Sequence, residues 1–359
     1  MTTTHALYRR SAEFWERLEK TKRSVSGVAW YPYCSLANFE HFVPLLGPSA
    51  DFGALLGAGP VLDIGCADGD LSFFIESLDP RLSIHALDHA GTNHNQLAGA
   101  AALKQALSSS IQICDVNIDE GFELPARPYS MAFCLGLLYH VKNPFHLLES
   151  LSNYARSCLL STRIMRAFPG GEPVPAHPAA YLLDPDQLNN DETNFWIFNE
   201  AGLRRLVTRA GWHVEQYYST GGAASGPDSH SGDERAFCLL RSRRWLANIA
   251  LGEGWHEESD EGWRWTARRF SFSLPPGEWR SMILHFHLPE AVFVAGAAVT
   301  LNLPGLAATH CAAEPGSYTL RVDLPAGTTR IECEFDRAIG PASADARELG
   351  GVVTGVSYQ

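Results

Sequence analysis

The chain has 359 residues, 45% of them hydrophobic and 19% charged, which excludes a disordered chain and suits two domains with cores of their own. With 28 Lys and Arg against 40 Asp and Glu the net charge is −12, and no dense basic run offers a footprint for nucleic acid, so RNA and DNA are disfavoured partners. The eight cysteines form no C-x-x-C pair and several fall in apolar runs such as "IQICDV", so they are read as reduced, buried side chains of a cytoplasmic protein, and no segment reads as a signal core or a membrane span.

Residues 1–50 form a helical lead-in or cap: a polar, helix-patterned start, then "WYPYCSLANFEHF". Packing of this segment on a sheet would use its aromatics, as would a pocket lid, and Tyr33 is kept as a candidate acceptor contact. From about Gly59, short apolar runs alternate with helical stretches: "PVLDIG", "SIHALD", "IQICDV", "SMAFCLGLLY", "SCLLSTRI" and "AFCLLR". This alternation predicts βαβ units in an α/β, Rossmann-like, doubly wound and mainly parallel sheet over residues 51–243. Beyond it, residues 244–359 hold alternating runs such as "RRFSFSL", "SMILHFHL", "YTLRVDL" and "TRIECEF" between Pro/Gly turns, which predicts an all-β sandwich.

The first strand leads into "VLDIGCADGD". A dinucleotide fold needs G-x-G-x-x-G so that backbone and helix can approach a pyrophosphate, and that spacing is absent. The acid Asp63 would repel phosphate and accept bonds from an ammonium group or its waters. Asp88, nineteen residues past Gly69, ends the second strand where an acid can accept both hydroxyls of a ribose, and Asp115 ends the third. Acids at successive strand ends suit a nucleoside with a cationic amino-acid tail. The arrangement resembles the class I S-adenosylmethionine-dependent methyltransferases, whose first motif is a hydrophobic-Asp-x-Gly-x-Gly-x-Gly turn, with Ala67 here at the middle glycine. The resemblance covers about residues 59–165. It implies S-adenosyl-L-methionine as cofactor, with Asp63, Gly65, Ala67 and Gly69 near its methionine moiety, Asp88 on the ribose and Asp115 with Val116 beside the adenine. Leu135 completes the set. An unrelated α/β sheet with a tight turn would explain one motif, but not three acids in register.

The run "LGLLYHVKNP" ends in an aromatic hydroxyl and an imidazole, Tyr139 and His140, where a buried strand normally stops at a turn residue. Read as the end of the fourth strand, they stand in the crevice where open α/β sheets bind ligands. With "NFWIFNEAGLRRLVTRAGW" the segment resembles the branch that contains the tRNA wobble-uridine carboxymethyltransferases, in which "GVLYH" is followed by a short turn, a Pro and a helix; similar methyltransferases act on small metabolites and sugars. The carboxymethyl enzymes place a lysine just before the first strand, where "LANFEHFVPLL" has none, which favours ordinary S-adenosylmethionine. His140 is the candidate base, since an imidazole with pKa about 6.5 can take a hydroxyl proton at neutral pH. Tyr139 would shape the methyl channel. A histidine that only caps its turn is the competing reading, because proximity alone serves many methyl transfers.

Between the fifth strand and the next helix, "YLLDPDQLNNDETNFWIFNE" has the amides, acids and aromatics of a polyol or nucleoside pocket, and equally of a solvated loop whose Asn199 caps a helix. Asn190, Asn194 and Trp196 are the candidate acceptor contacts, with Arg163 facing the same space. His285, His287 and His310 lack the spacing of a ligand set, so no metal is expected. The last hundred or so residues resemble a β-sandwich module found beside sugar-modifying domains, and Trp263 and Trp265, taken as exposed, could stack on sugar or fill a core. The sequence thus reads as a methyltransferase for a hydroxyl of a saccharide or other small metabolite. A tRNA uridine-modifying enzyme and a catalytically idle glycan-binding protein are the alternatives.

Overall fold

The computed structural model describes residues 3–358 except 58, 122, 126–128, 222–224, 228–233, 243–248, 260–262, 275–278, 294–296 and 342–345. The chain divides into two compact units, Met1–Ser242 and Arg243–Gln359. The sequence boundary at residues 243 and 244 falls in a stretch outside the described residues.

The first unit opens with three helices, α1 (Thr4–Ser24), α2 (Phe39–Leu46) and α3 (Phe52–Leu56). The predicted alternation follows: β1 (Val61–Ile64), α4 (Asp70–Leu78), β2 (Ile84–Asp88), α5 (Ala98–Leu107), β3 (Gln112–Asp115), β4 (Tyr129–Leu135), α6 (Pro144–Tyr154) and β5 (Ala155–Ile164). The short β6 (Ala180–Leu182) and β7 (Trp196–Phe198) come next, then α7 (Glu200–Arg209), β8 (Trp212–Thr220) and β9 (Glu234–Ser242). The strands form one nine-stranded sheet in the order β3-β2-β1-β4-β5-β7-β6, with β9 also paired to β5, antiparallel, and β8 to β9.

Period-two alternation sends Val61, Met131, Phe133, Leu159 and Phe237 to one face, where α1 to α5 pack, and Leu62, Ala132, Cys134, Leu160 and Cys238 to the other, under α6 and α7. The lead-in shares the first of these cores: Leu7, Phe14, Leu18, Phe39 and Phe42 are all buried in it. In β1 to β4 the register pairs Ile64 with Leu87 and Cys134, and Asp88 with Asp115, so the carboxyl ends of four parallel strands reach one edge.

The apolar run after Tyr129 does not continue as strand to Tyr139, as the sequence suggested. Strand β4 ends at Leu135 because Gly136 takes φ +69, a left-handed conformation that breaks the ladder, and Leu138–His140 form a turn of 3-10 helix.

Among its described residues the second unit has ten strands: β10 (Ala250–Leu251), β11 (Trp255–Glu258), β12 (Arg264–Thr266), β13 (Arg269–Ser273), β14 (Ser281–Leu288), β15 (Val299–Leu303), β16 (Ala308–Ala312), β17 (Gly316–Asp323), β18 (Arg330–Phe335) and β19 (Val352–Tyr358). They make two five-stranded antiparallel sheets, β10-β13-β18-β15-β16 and β11-β12-β19-β14-β17, with one apolar cluster drawn from both. Trp263 and Trp265 are half-buried rather than exposed. Not all the cysteines are buried as expected: Cys34 and Cys114 are half-buried, and Cys311 is exposed because it falls on the outward face of β16.

Candidate active site

The turn after β1 is shaped by close approach. Gly65 has φ +76, and a Cβ there would stand 3.0 Å from Leu137 Cδ1; Gly69 has φ +82 and starts α4. Ala67, which replaces the middle glycine, also takes positive φ, 52°, at a cost of about 1–2 kcal/mol for a residue with a Cβ. Its N–H donates to Asp88 Oδ2 at 2.8 Å, which holds the turn against the end of β2.

Four acids surround this turn in different states. Asp63 is buried and accepts a bond from Ser72 Oγ at 2.7 Å; burial pushes its carboxyl up to about 7, with Asp88 and Asp70 nearby adding to the rise. Asp88 is half-buried, its carboxyl raised by burial against the N–H groups of His89 and Ala67 and the Asn93 amide that it accepts. Asp68 accepts bonds from the Tyr31 N–H (2.8 Å) and the Asn95 amide (2.7 Å). Asp70 meets the buried Lys22 ammonium at 3.0 Å. At the next strand end, exposed Asp115 accepts the Ala90 N–H and lies 3.3 Å from His89 Nδ1, and Val116 donates its N–H to the Asp88 carbonyl. Leu135 ends β4 and is half-buried against the first core.

This donor set fits a nucleoside with a cationic tail. A carboxyl as hard to ionise as Asp63 gains from a cation brought to it, and Asp88 Oδ1, which accepts the His89 N–H, retains a lone pair for a ribose hydroxyl. The turn has no row of glycines for a pyrophosphate.

The 3-10 turn puts Tyr139 and His140 at the same edge, their rings 4.3 Å apart. His140 Nδ1 lies 3.0 Å from Thr193 Oγ1 and 3.2 Å from the Thr193 carbonyl. Burial lowers its pKa, while Asp191 and Asp88 raise it and Arg235 lowers it further. Arg235 of β9 sets Nη1 3.4 Å from the Tyr139 hydroxyl. The Tyr31 hydroxyl is pushed up to about 12 by burial and then by Tyr139, Asp88, Tyr33 and Asp191.

Of the acceptor candidates, Tyr33 is the most open, 72% exposed with its ring edge-on to Tyr31. Asn190 lies on the exposed side of its loop. Asn194 is buried, and its amide staples the loop through the Leu188 and Asp191 carbonyls. Trp196 donates its indole N–H to the Lys142 carbonyl. Arg163 lies inside β5, buried, and reaches the Gly226 carbonyl at 3.1 Å.

Sequence reading passed over Lys22, Tyr31, Asp191, Thr193 and Arg235. Tyr31, Asp191 and Thr193 stood in stretches it had singled out. Lys22 and Arg235 gave no local signal, since the contacts that place them span 48 and 96 residues.

A mainly parallel sheet with an acid-lined turn at the carboxyl ends of its parallel strands, and an aromatic and imidazole turn at the same edge, defines a class I S-adenosylmethionine-dependent methyltransferase. Residues 13–217 match the family described as a methyltransferase domain, and the chain belongs to that family. Among solved structures it is similar to the N-terminal domain of EvdMO1 with SAH bound (16% identity, 63% of this chain and 95% of that one, TM-score 0.42). It is also similar to EvdMO1 as a whole (13%, 94% and 96%, 0.43). A third likeness is to an O-methyltransferase from a Brevibacillus brevis trans-AT PKS multienzyme in complex with S-adenosyl-L-homocysteine (14%, 51% and 66%, 0.39). A search of curated proteins returned no match.

Proposed function

We propose that this methyltransferase acts on a hydroxyl of a saccharide or other small metabolite. S-adenosylmethionine would be held by Asp63, Gly65, Ala67 and Gly69 at its methionine end, by Asp88 at the ribose, and by Asp115, Val116 and Leu135 around the base. Bound there, it supplies an electrophilic methyl group on a sulfonium. The observation that carries the oxygen-acceptor reading is His140: a half-buried imidazole whose pKa burial lowers, in the turn after β4 and next to Tyr139. A neutral imidazole can take the proton that a hydroxyl must lose as it is methylated, a contribution of roughly a hundredfold or more. Tyr31, Tyr33 and Tyr139 supply planar faces for the apolar side of a polyol, and Asp191 and Asn190 supply acceptors and donors for its hydroxyls.

Incubation with methyl-labelled S-adenosylmethionine and a panel of nucleotide sugars, free sugars and bulk tRNA tests this. Label in a sugar fraction, lost in His140→Gln, is the expected result. Label in the tRNA alone, with binding that weakens steeply as salt rises, would overturn the proposal in favour of a nucleic-acid substrate.

A further inference from the structure

The imidazole of His140 is not held by its own turn alone. Thr193, 53 residues further on, meets Nδ1 with both its hydroxyl and its carbonyl. The Thr193 hydroxyl has one proton, and it donates that proton to Asp191 Oδ1 at 2.6 Å. Toward the ring, Oγ1 therefore offers only lone pairs, as does the carbonyl. Nδ1 must carry the hydrogen, and in the neutral ring Nε2 is left with its lone pair. The loop that makes this arrangement is built to hold still. Asp191 Oδ1 also accepts the Thr193 N–H at 2.9 Å, and Asn194 closes the loop on the Leu188 and Asp191 carbonyls. The Phe195 N–H donates to the Tyr139 carbonyl at 2.8 Å, which docks the loop on the histidine turn itself.

We propose that Asp191 and Thr193 are positioning residues that fix His140 as the Nδ1–H tautomer, with Nε2 as the proton acceptor for the substrate hydroxyl. This rests on the reading of His140 as the base. In the step it serves, the acceptor oxygen forms its bond to the methyl carbon, the sulfur–carbon bond breaks with its electron pair left on sulfur, and the hydroxyl proton passes to Nε2. The imidazolium that forms keeps its Nδ1–H on Thr193 and is stabilised by the Asp191 carboxylate behind it. The other charged groups that bear on the ring are Arg235 from β9, which opposes its protonation, and Asp88 from β2, which favours it. Tyr139 packs against its face.

The test uses the ligand-free full chain. Two-bond proton–nitrogen correlation of the histidine rings reports the tautomer and the pKa of His140, assigned by its absence in His140→Gln. The expected result is Nδ1–H in the wild type and in Thr193→Ser. In Asp191→Ala and in Thr193→Val the Nε2–H share should rise and the pKa should fall, while the Kd for S-adenosylhomocysteine stays within about twofold. On the nucleotide-sugar panel both variants should lose about tenfold in turnover, with Thr193→Ser near wild type. A wild-type ring in the Nε2–H form overturns the proposal. So does an unchanged tautomer and turnover in both variants while His140→Gln is inactive, which would leave the base and remove its positioning. Full activity in His140→Gln would overturn the base reading and this proposal together.

Discussion

Asp63 bears on folding and, in the proposed cofactor site, on ligand binding with opposite signs. Its carboxyl, raised from an ordinary 3.8 to about 7 by burial, binds a proton more tightly folded than unfolded. Folding stability from this group is therefore highest below about pH 4 and falls as pH rises toward 7. Ligand binding has the opposite sign, since a cationic tail needs the ionised form. Affinity for S-adenosylhomocysteine should rise about tenfold between pH 6 and pH 8 and then level off. In Asp63→Asn the ligand-free protein should melt higher at pH 8, and the affinity should be weak and flat across that range. Calorimetry and thermal melts at both pH values measure this; a wild-type affinity independent of pH would remove Asp63 from the cofactor site. At this scale the sequence was legible where chemistry sits next to geometry along the chain: Asp63, Gly65 and Gly69 are read from one strand-turn-helix unit and Asp88 from the strand that follows it. Thr193 and Asp191 gave no such signal, because their meaning lies in a contact with His140 that no spacing encodes.

Among the elements, α1 has a role beyond covering the sheet. Lys22, in its last turn, is buried with its ammonium 3.0 Å from Asp70 and 3.9 Å from Asp68, the two acids that follow Ala67 and flank Gly69. Burial works against that charge, but the acids beside it raise the Lys22 pKa above its ordinary value. Removal of one partner of a buried pair leaves the other charge uncompensated, which costs about 3–5 kcal/mol. Lys22→Met should destabilise the first unit by that amount and weaken cofactor binding through the loosened turn. Chemical denaturation checks the first effect, and a loss below 1 kcal/mol would show that the pair does not hold α1 to the turn. The strands whose two faces are both buried, β1, β2, β4, β5 and β9, were legible as apolar runs. Strand β8 was not, because it lies at the sheet edge, half of it is polar, and a bulge between Val214 and Gln216 breaks its alternation. The end of β4 was placed four residues late, since Gly136 interrupts a run that stays apolar through Leu138.

For the molecule as a whole, the residues proposed for cofactor and acceptor all come from the first unit, while the second has its own core and two sheets. Among the described residues no helix is long and apolar enough to cross a membrane. The net charge of −12 sets a repulsive field for polyanions, which favours a small acceptor over a nucleic acid. All of this depends on the acids at the strand ends being a cofactor site. Calorimetric titration of the full chain with S-adenosylhomocysteine, wild type beside Asp88→Ala, tests that most directly. The account predicts wild-type binding in the micromolar range and a loss of about 1–3 kcal/mol in the variant, as the ribose hydroxyls lose their acceptor. No heat from a folded wild type, or the same affinity in both proteins, would contradict it.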